Sequence, residues 1–261
     1  MPSHYAHYRL GAQVLPGLPA DIRRPVQRFR RLYDAGTHGP DLFLYYNPLV
    51  NNPIGALEAR YHSQSGIDFF TMVCRRYRLE PTEAGEAFLY GLLAHYCLDS
   101  ICNPIITAAA EELQLNRAEI ETEFDRFLLS QEGKAQPHTY DFSRHMKLTK
   151  GECGTAAAFF PPASQSQVQQ SISHMASVTK WLSAADAPRR TALNAALRLT
   201  GHRYDPYVMT QGPNPKCAHL NADLYRCWLR ALEVYPVLAE QLTAHLTYNA
   251  PLGEDFLAAF G

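Results

Sequence analysis

The sequence has no excess of charge of either sign. Its 24 lysines and arginines are matched by 25 aspartates and glutamates, which leaves a formal net charge of -1. A chain with this balance has no global attraction to nucleic acid or to an anionic membrane, although local charged patches remain compatible with it. We therefore expect no nucleic-acid partner.

Long apolar runs and paired cysteine motifs are also missing. No stretch reaches the roughly 20 apolar residues that a membrane-spanning helix needs. The N-terminus does not show the basic segment and apolar run of a secretory signal. The six cysteines form no CxxC pair and no spacing typical of a disulfide framework. Together these absences predict reduced thiols, no transmembrane segment and a cytoplasmic location.

Helical periodicity dominates what is present, and the chain is 46% hydrophobic, which is enough for a sizeable core. We expect one all-α domain spanning 1–261. The expected helices run from Ile22 to near Gly36, from Pro53 to Arg78, from Thr82 to a kink or end at Pro104, from Asn116 through Leu128, from Ser164 to Leu182, from Asp186 to Gly201 and from Asn221 to His245. The pattern is irregular over 131–167, which favours a covering loop, and the proline-rich stretch 205–219 has no function that its pattern indicates.

The most informative motif lies on the Thr82 helix. His95 and Asp99 are one turn apart, so both side chains project from the same helical face. An imidazole and a carboxylate placed in this way suit a divalent zinc ion when further ligands come from elsewhere in the chain. A hydrogen-bonded pair on the helix surface has the same spacing and remains the alternative interpretation.

Several segments in the first half of the chain share an order and spacing with a known family. They are MPSHYAHYRLG, YDAGTHGPDLFLYYNP, ARYHSQSGIDFF, GLLAHYCLDSICNP and RAEIETEFDRFLL. In combination they resemble the zinc-dependent phospholipase C family, in particular its non-secreted bacterial branch. The resemblance implies a bundle of antiparallel helices around a cluster of three zinc ions. It also implies hydrolysis of a phosphodiester by metal-activated water.

The resemblance also implies roles for particular residues. Asp99 resembles the carboxylate that bridges two metals, and Asp41 is a candidate for the catalytic base. Secreted relatives use the amino group of their first residue as a ligand. Whether a processed Pro2 amine or His4 takes that place here stays open. The metal ligands expected from the resemblance are His7, Asp41, His62, His95, Asp99 and Glu121.

The chain departs from the family pattern at two expected histidines, which read Asn103 and Arg117, while Glu121 is retained. Asparagine is a poor zinc ligand, and a guanidinium cannot coordinate a metal. We therefore expect two zinc ions and the loss of the third site. Arg117, one turn before Glu121, would supply the missing positive charge and bind a phosphate oxygen of the substrate. An ordinary surface ion pair is the alternative.

Three functions are compatible with these residues. The first is a zinc-dependent phosphoester hydrolase, phospholipase C-like, that acts on a small phosphoester or a phospholipid-like molecule. The second is a helical metal-binding or interaction protein without turnover, which the loss of two ligands suggests. The third is a nuclease-like phosphodiesterase, against which the missing basic surface argues. The sequence indicates neither the substrate nor the oligomeric state.

Overall fold

The computed structural model describes residues 4–183, 187–199, 201 and 204–260. Within these ranges it is all-helical and has no β-strand, which confirms the predicted fold class. No helix there combines the length and the apolar character that crossing a bilayer requires. The α-helices are α1 (His4–Val14), α2 (Ala20–Arg28), α3 (Arg30–Gly36), α4 (Leu57–His62), α5 (Gly66–Leu79), α6 (Glu83–Leu113), α7 (Arg117–Gln131), α8 (Lys150–Ala157), α9 (Gln165–Leu182), α10 (Ala187–Leu199) and α11 (Asn221–Tyr248).

The helix α6 is the centre of the fold. It has 31 residues, and the Thr82 hydroxyl caps it by accepting a hydrogen bond from the Gly85 backbone N–H. Every residue from 87 to 99 is buried, as expected for a helix that is apolar on all sides. The helices α1, α2, α3, α7 and α11 pack against it. His95 and Asp99 therefore project from a helix that its neighbours hold in place on several sides.

Pro104 does not end α6, so of the two expected outcomes at this residue, a kink or an end, the end was wrong. The helix continues to Leu113 with Pro104 inside it. A proline removes one backbone donor. The packing of α6 against α7 and α11 stabilises the helix despite the hydrogen bond that the proline cannot donate.

Two other expected helices are broken in the structure. The helix expected from Pro53 to Arg78 is two helices, because the Ser65 hydroxyl caps a new start at α5 by accepting from the Asp68 N–H. The break is also paired with the end of the chain, since Gly66 N donates to Ala258 O at 2.9 Å and Phe260 N donates to Gln64 O at 2.8 Å. His62 is therefore the last residue of α4. The helix expected from Ile22 is likewise divided, between α2 and α3 at Phe29.

The segment 131–167 is less irregular than its pattern indicates. It contains α8, which starts with a reciprocal capping box between Thr149 and Glu152. The stretch 205–219 is anchored to α7 through a buried carboxylate. Glu123 accepts hydrogen bonds from Asn214 N at 3.0 Å and from Asn221 Nδ2 at 2.8 Å.

The remaining predicted helices agree with the structure. The helices at 164–182 and from Asn221 are confirmed, and α10 covers 187–199 of its predicted span. Asp186, where that helix was expected to begin, lies outside the described residues. Helix α1 was not predicted.

The backbones of α3 and α6 touch at two glycines. A Cβ atom built on Gly91 would lie 2.3 Å from the carbonyl oxygen of Tyr33 and 2.8 Å from the Cα of Gly36. A Cβ on Gly36 would lie 2.5 Å from the carbonyl oxygen of Phe88. Only glycine permits this approach. It brings the residues that follow α3 directly over the face of α6 that carries His95.

We predict that Gly91→Ala lowers the free energy of unfolding by about 3 kcal/mol, because the methyl group must push two backbones apart. Gly151→Ala is the matched control. Gly151 lies in a helix, and no atom lies within 4 Å of the position that an added methyl group would take, so alanine there should be neutral or stabilise by up to about 1 kcal/mol. Urea unfolding followed by circular dichroism measures both variants. Equal unfolding midpoints for the two would contradict the proposed helix contact.

Candidate metal centre

The structure brings five of the predicted ligands together from four parts of the chain. His7 comes from α1, Asp41 from the 3-10 segment Gly39–Tyr45, His62 from the end of α4, and both His95 and Asp99 from α6. All are buried except His62, whose side chain is 12% exposed. Two groups have donor atoms close enough to share a metal ion. The first group consists of Asp41, His62 and His95. The second group consists of His7, His95 and Asp99.

The first group has the dimensions of a tetrahedral zinc site once Asp99 is included. His62 Nε2 lies 3.2 Å from His95 Nε2, 3.5 Å from Asp41 Oδ1 and 3.6 Å from Asp99 Oδ2. His95 Nε2 lies 3.7 Å from Asp41 Oδ2 and 3.2 Å from Asp99 Oδ2. Ligands about 2.0–2.1 Å from a tetrahedral zinc are about 3.4 Å apart. These five separations, 3.2 to 3.7 Å, are therefore close to the ligand separations around such an ion.

The second group uses the other oxygen of the same carboxylate. Asp99 Oδ1 lies 3.1 Å from His7 Nε2, whereas Asp99 Oδ2 faces His62 and His95. The His7 and His95 rings stack with their centroids 4.4 Å apart. Asp99 thus offers one oxygen to each group. His95 has one free nitrogen, Nε2, which only one ion can use, so when the first group takes it the second group has two protein donors, His7 and Asp99. Unfilled coordination positions of this kind are typical of catalytic rather than structural metal sites.

Two residues that the sequence analysis missed orient the imidazoles. His95 Nδ1 lies 3.1 Å from the carbonyl oxygen of Thr37, and His62 Nδ1 lies 3.0 Å from Glu58 O and 3.1 Å from Glu58 Oε1. These oxygens accept, so both Nδ1 atoms carry hydrogen and both Nε2 atoms are left for a cation. The sequence feature that could have identified Glu58 is its position four residues before His62, which places both side chains on the same face of α4. Thr37 contributes only its backbone, for which no sequence signal exists.

The ionisable side chains of the cluster have strongly shifted pKa values. Burial alone lowers the pKa of His62, but the Asp41 carboxylate and hydrogen bonds to Asp99 and Glu58 outweigh it and raise that pKa to about 11. Burial raises the pKa of Asp41 to about 8 although His62 opposes the shift. Burial lowers the pKa of His95 to about 4. The raised pKa of His62 and the lowered pKa of His95 therefore favour one positive charge where their Nε2 atoms meet, either a proton or a metal ion.

Asp99 remains ionised in this setting. Burial acts to raise its pKa, but the His95 and His7 imidazoles outweigh burial and hold the pKa well below its ordinary value. A charged carboxylate with one oxygen facing His7 and the other facing His62 and His95 attracts a metal ion to both groups.

The two positions that differ from the family pattern, Asn103 and Arg117, lie together with the retained Glu121. Arg117 Nη2 donates to Asn103 Oδ1 at 2.6 Å and lies 3.9 Å from Glu121 Oε1. Glu121 is buried, and its Oε2 has no hydrogen-bond partner among the described residues. Burial raises the pKa of Glu121, while Arg117 opposes the shift. Glu121 belongs to neither donor group, so its role as a ligand stays a prediction.

Aromatic and histidine side chains enclose the cluster. The buried ring of Phe260 stacks on His95 at a centroid distance of 5.4 Å and lies 5.6 Å from the ring of His62. His4 Nε2 lies 2.6 Å from the Tyr45 hydroxyl. His4 is therefore directed to Tyr45 and lies in neither donor group, which disfavours it as the additional ligand.

The chain matches no protein-family model and has no significant similarity to the curated proteins or solved structures with which it was compared. The functional interpretation therefore depends on the side-chain geometry described above.

We predict that zinc binding releases about one proton or more per ion at pH 7. His62, with its pKa near 11, carries a proton in the metal-free protein, and zinc requires the unprotonated nitrogen. Affinity should therefore weaken by about tenfold per proton for each unit by which the pH is lowered. Titration calorimetry in two buffers of different ionisation enthalpy measures the release.

The variant His62→Ala should lose most of the affinity and most of the proton release. His174→Ala is the control, because His174 is a partly exposed histidine on α9 that bonds Tyr45 O. Zinc affinity that does not change with pH, or loss of binding in His174→Ala alone, would contradict the assignment.

Proposed function

We propose that this protein is a zinc-dependent phosphoester hydrolase, phospholipase C-like, whose metal centre is built on Asp99. The observation that supports it is the placement of two donor groups on the two oxygens of this carboxylate. With His95 assigned to the first group, that group has four protein donors, whereas the second group has His7 and Asp99 and leaves positions for water. Bound zinc would supply an activated water molecule and polarise a phosphoryl oxygen.

The remaining steps belong to side chains of this chain. Asp99 fixes the spacing of the two groups, while Thr37 and Glu58 hold the imidazoles in the required tautomer. Asp41 Oδ2 is buried and without a hydrogen-bond partner among the described residues, so it is available to accept a proton from the attacking water. This assigns Asp41 the role of general base as well as ligand.

Arg117 binds the phosphate of the substrate in this proposal. Its side chain is 43% exposed beside a buried carboxylate, and its guanidinium has five N–H donors, of which one Nη2 donor is used by Asn103. A guanidinium binds phosphate oxygens in bidentate fashion. The residue would therefore provide part of the positive charge that a third metal ion provides in the family pattern.

The segment that presents Asp41 also lines an apolar cavity, which favours a substrate with an apolar group. The 3-10 segment that presents Asp41 also contributes Leu44 and Tyr45 to a cavity of about 280 Å³. Trp181 and Val178 of α9 line its other side. Such a cavity accommodates a hydrocarbon or aromatic substituent. We therefore favour a phosphodiester that carries an apolar group over a fully polar phosphoester.

A non-catalytic metal-binding protein is the second candidate. A site with four protein ligands is typical of structural zinc, and the first donor group supplies four. The two candidates differ in whether a metal-loaded protein turns over a phosphodiester.

The first test is metal content and hydrolysis of bis(p-nitrophenyl) phosphate, measured on the same samples of wild type and Asp99→Ala. We expect about two zinc ions in the wild type and loss of both metal and activity in the variant. Asp34→Ala is the control because Asp34 is as buried as Asp99 but pairs with Arg30 at 2.6 Å on α3. Zinc without turnover in the wild type would favour the structural candidate.

The second test concerns Arg117. Arg117→Ala should lower kcat/KM by about 10- to 100-fold, as expected for loss of a hydrogen bond to a charged group, and should leave the zinc content unchanged. Arg230→Ala, which removes an exposed arginine paired with Glu233, should have no effect. The double variant Asn103→His/Arg117→His should bind about one additional zinc ion through Glu121. Unchanged kcat/KM in Arg117→Ala would contradict the phosphate-binding role.

A further inference from the structure

The two longest helices, α6 and α11, pack antiparallel in a register fixed by hydrogen bonds. The Tyr235 hydroxyl donates to Tyr90 O at 2.9 Å, and Cys97 Sγ donates to Ala231 O at 3.4 Å. As the chain proceeds along α6, its contacts move back along α11. The next turn of α6 after Cys97 therefore lies opposite the turn of α11 before Ala231. These turns carry Cys102 and Cys227.

The two thiols are in contact and differ in exposure. Cys102 is buried, whereas Cys227 is partly exposed. Hydrogen bonding with Cys102 lowers the pKa of Cys227 to about 7, with Arg226 adding to the shift and burial and Asp223 opposing it. The accessible sulfur is therefore substantially thiolate at neutral pH, and the thiolate is the reactive form of cysteine.

We propose that Cys227 and Cys102 form an oxidant-sensitive pair that peroxide converts into a disulfide between α11 and α6. An accessible thiolate beside a second thiol is the arrangement of redox-sensing cysteines. The other cysteines do not share it: Cys153, for example, is buried on α8, and burial raises its pKa. The pair does not depend on the proposed hydrolase activity.

The reaction requires hydrogen peroxide as oxidant. The Cys227 thiolate attacks one peroxide oxygen, so that an S–O bond forms, the O–O bond breaks, and hydroxide leaves and takes up a proton as water. Cys102, after giving up its proton, then attacks the Cys227 sulfur. The S–S bond forms as the S–O bond breaks, and the second water leaves. Two thiols are oxidised by two electrons, and one peroxide is reduced to two waters.

The disulfide would fix a functionally placed part of α6. Cys102 is one turn beyond Asp99 and directly precedes Asn103, which accepts the hydrogen bond from Arg117. Oxidation would anchor this turn to α11. The bridge closes a long loop of chain, and such bridges stabilise the folded state most. We therefore expect a higher midpoint of thermal unfolding in the oxidised protein.

The test is peptide mapping of the full chain after treatment with hydrogen peroxide and alkylation of the remaining thiols. Trypsin cleaves after Arg226 and Arg230 and so isolates Cys227 in the peptide CWLR. We expect this peptide linked to the one that begins after Arg78, with fragmentation placing the bond at Cys102 rather than at Cys97. Dithiothreitol should release the link.

Single variants distinguish Cys227, which reacts with the peroxide, from Cys102, which completes the disulfide. Cys102→Ser should leave Cys227 as a sulfenic acid that dimedone traps, and Cys227→Ser should abolish the reaction. Cys153→Ser is the control and should form the link normally. Absence of the linked peptide in the wild type, a link through Cys97, or irreversible sulfinic acid at Cys227 as the main product would overturn the proposal. Because the readout is a covalent bond, it does not depend on metal content or turnover.

Discussion

The contact between the backbones of Gly36 and Gly91 determines where the candidate metal centre can form. It sets α3 against α6 without an intervening side chain. The chain leaves α3 through Thr37, whose carbonyl oxygen accepts from His95 Nδ1. Gly39 then turns with a φ of 51°, and a Cβ there would lie 2.6 Å from His95 Cδ2. Only after this turn does the chain present Asp41, so a single close approach of two helices fixes both the donor and its partner imidazole.

The centre concentrates ionisable groups in a part of the core where charge is costly. Isolated buried charges are unfavourable by several kcal/mol each, and mutual pairing offsets that cost only when the geometry is good. In the metal-free protein, His62 and Asp41 are stabilised by shared protons, whereas a divalent cation would neutralise both carboxylates at once. Metal binding and folding would therefore be coupled, and a bound ion would stabilise the folded state in proportion to the logarithm of its free concentration above Kd.

The sequence predicts the fold class and most helix starts because caps and periodicity are local. Thr82, Asn116 and Ser164 cap their helices as expected. The helix spacing of His95 and Asp99 is equally local. The convergence of His7, Asp41 and His62 on these two residues depends on contacts between distant parts of the chain. Only the family resemblance predicted this convergence. The break before α5 was missed because its pairing with residues 258–260 is formed across the whole chain.

The aromatic ring that covers the centre lies far along the chain from the donors. Phe260 lies on the imidazoles of His62 and His95, yet every donor of the two groups precedes residue 100. During synthesis on the ribosome, the five donors emerge well before the ring that shields them. A metal ion could therefore reach the five donors before the Phe260 ring covers them, and movement of that ring would afterwards limit the rate at which the ion exchanges.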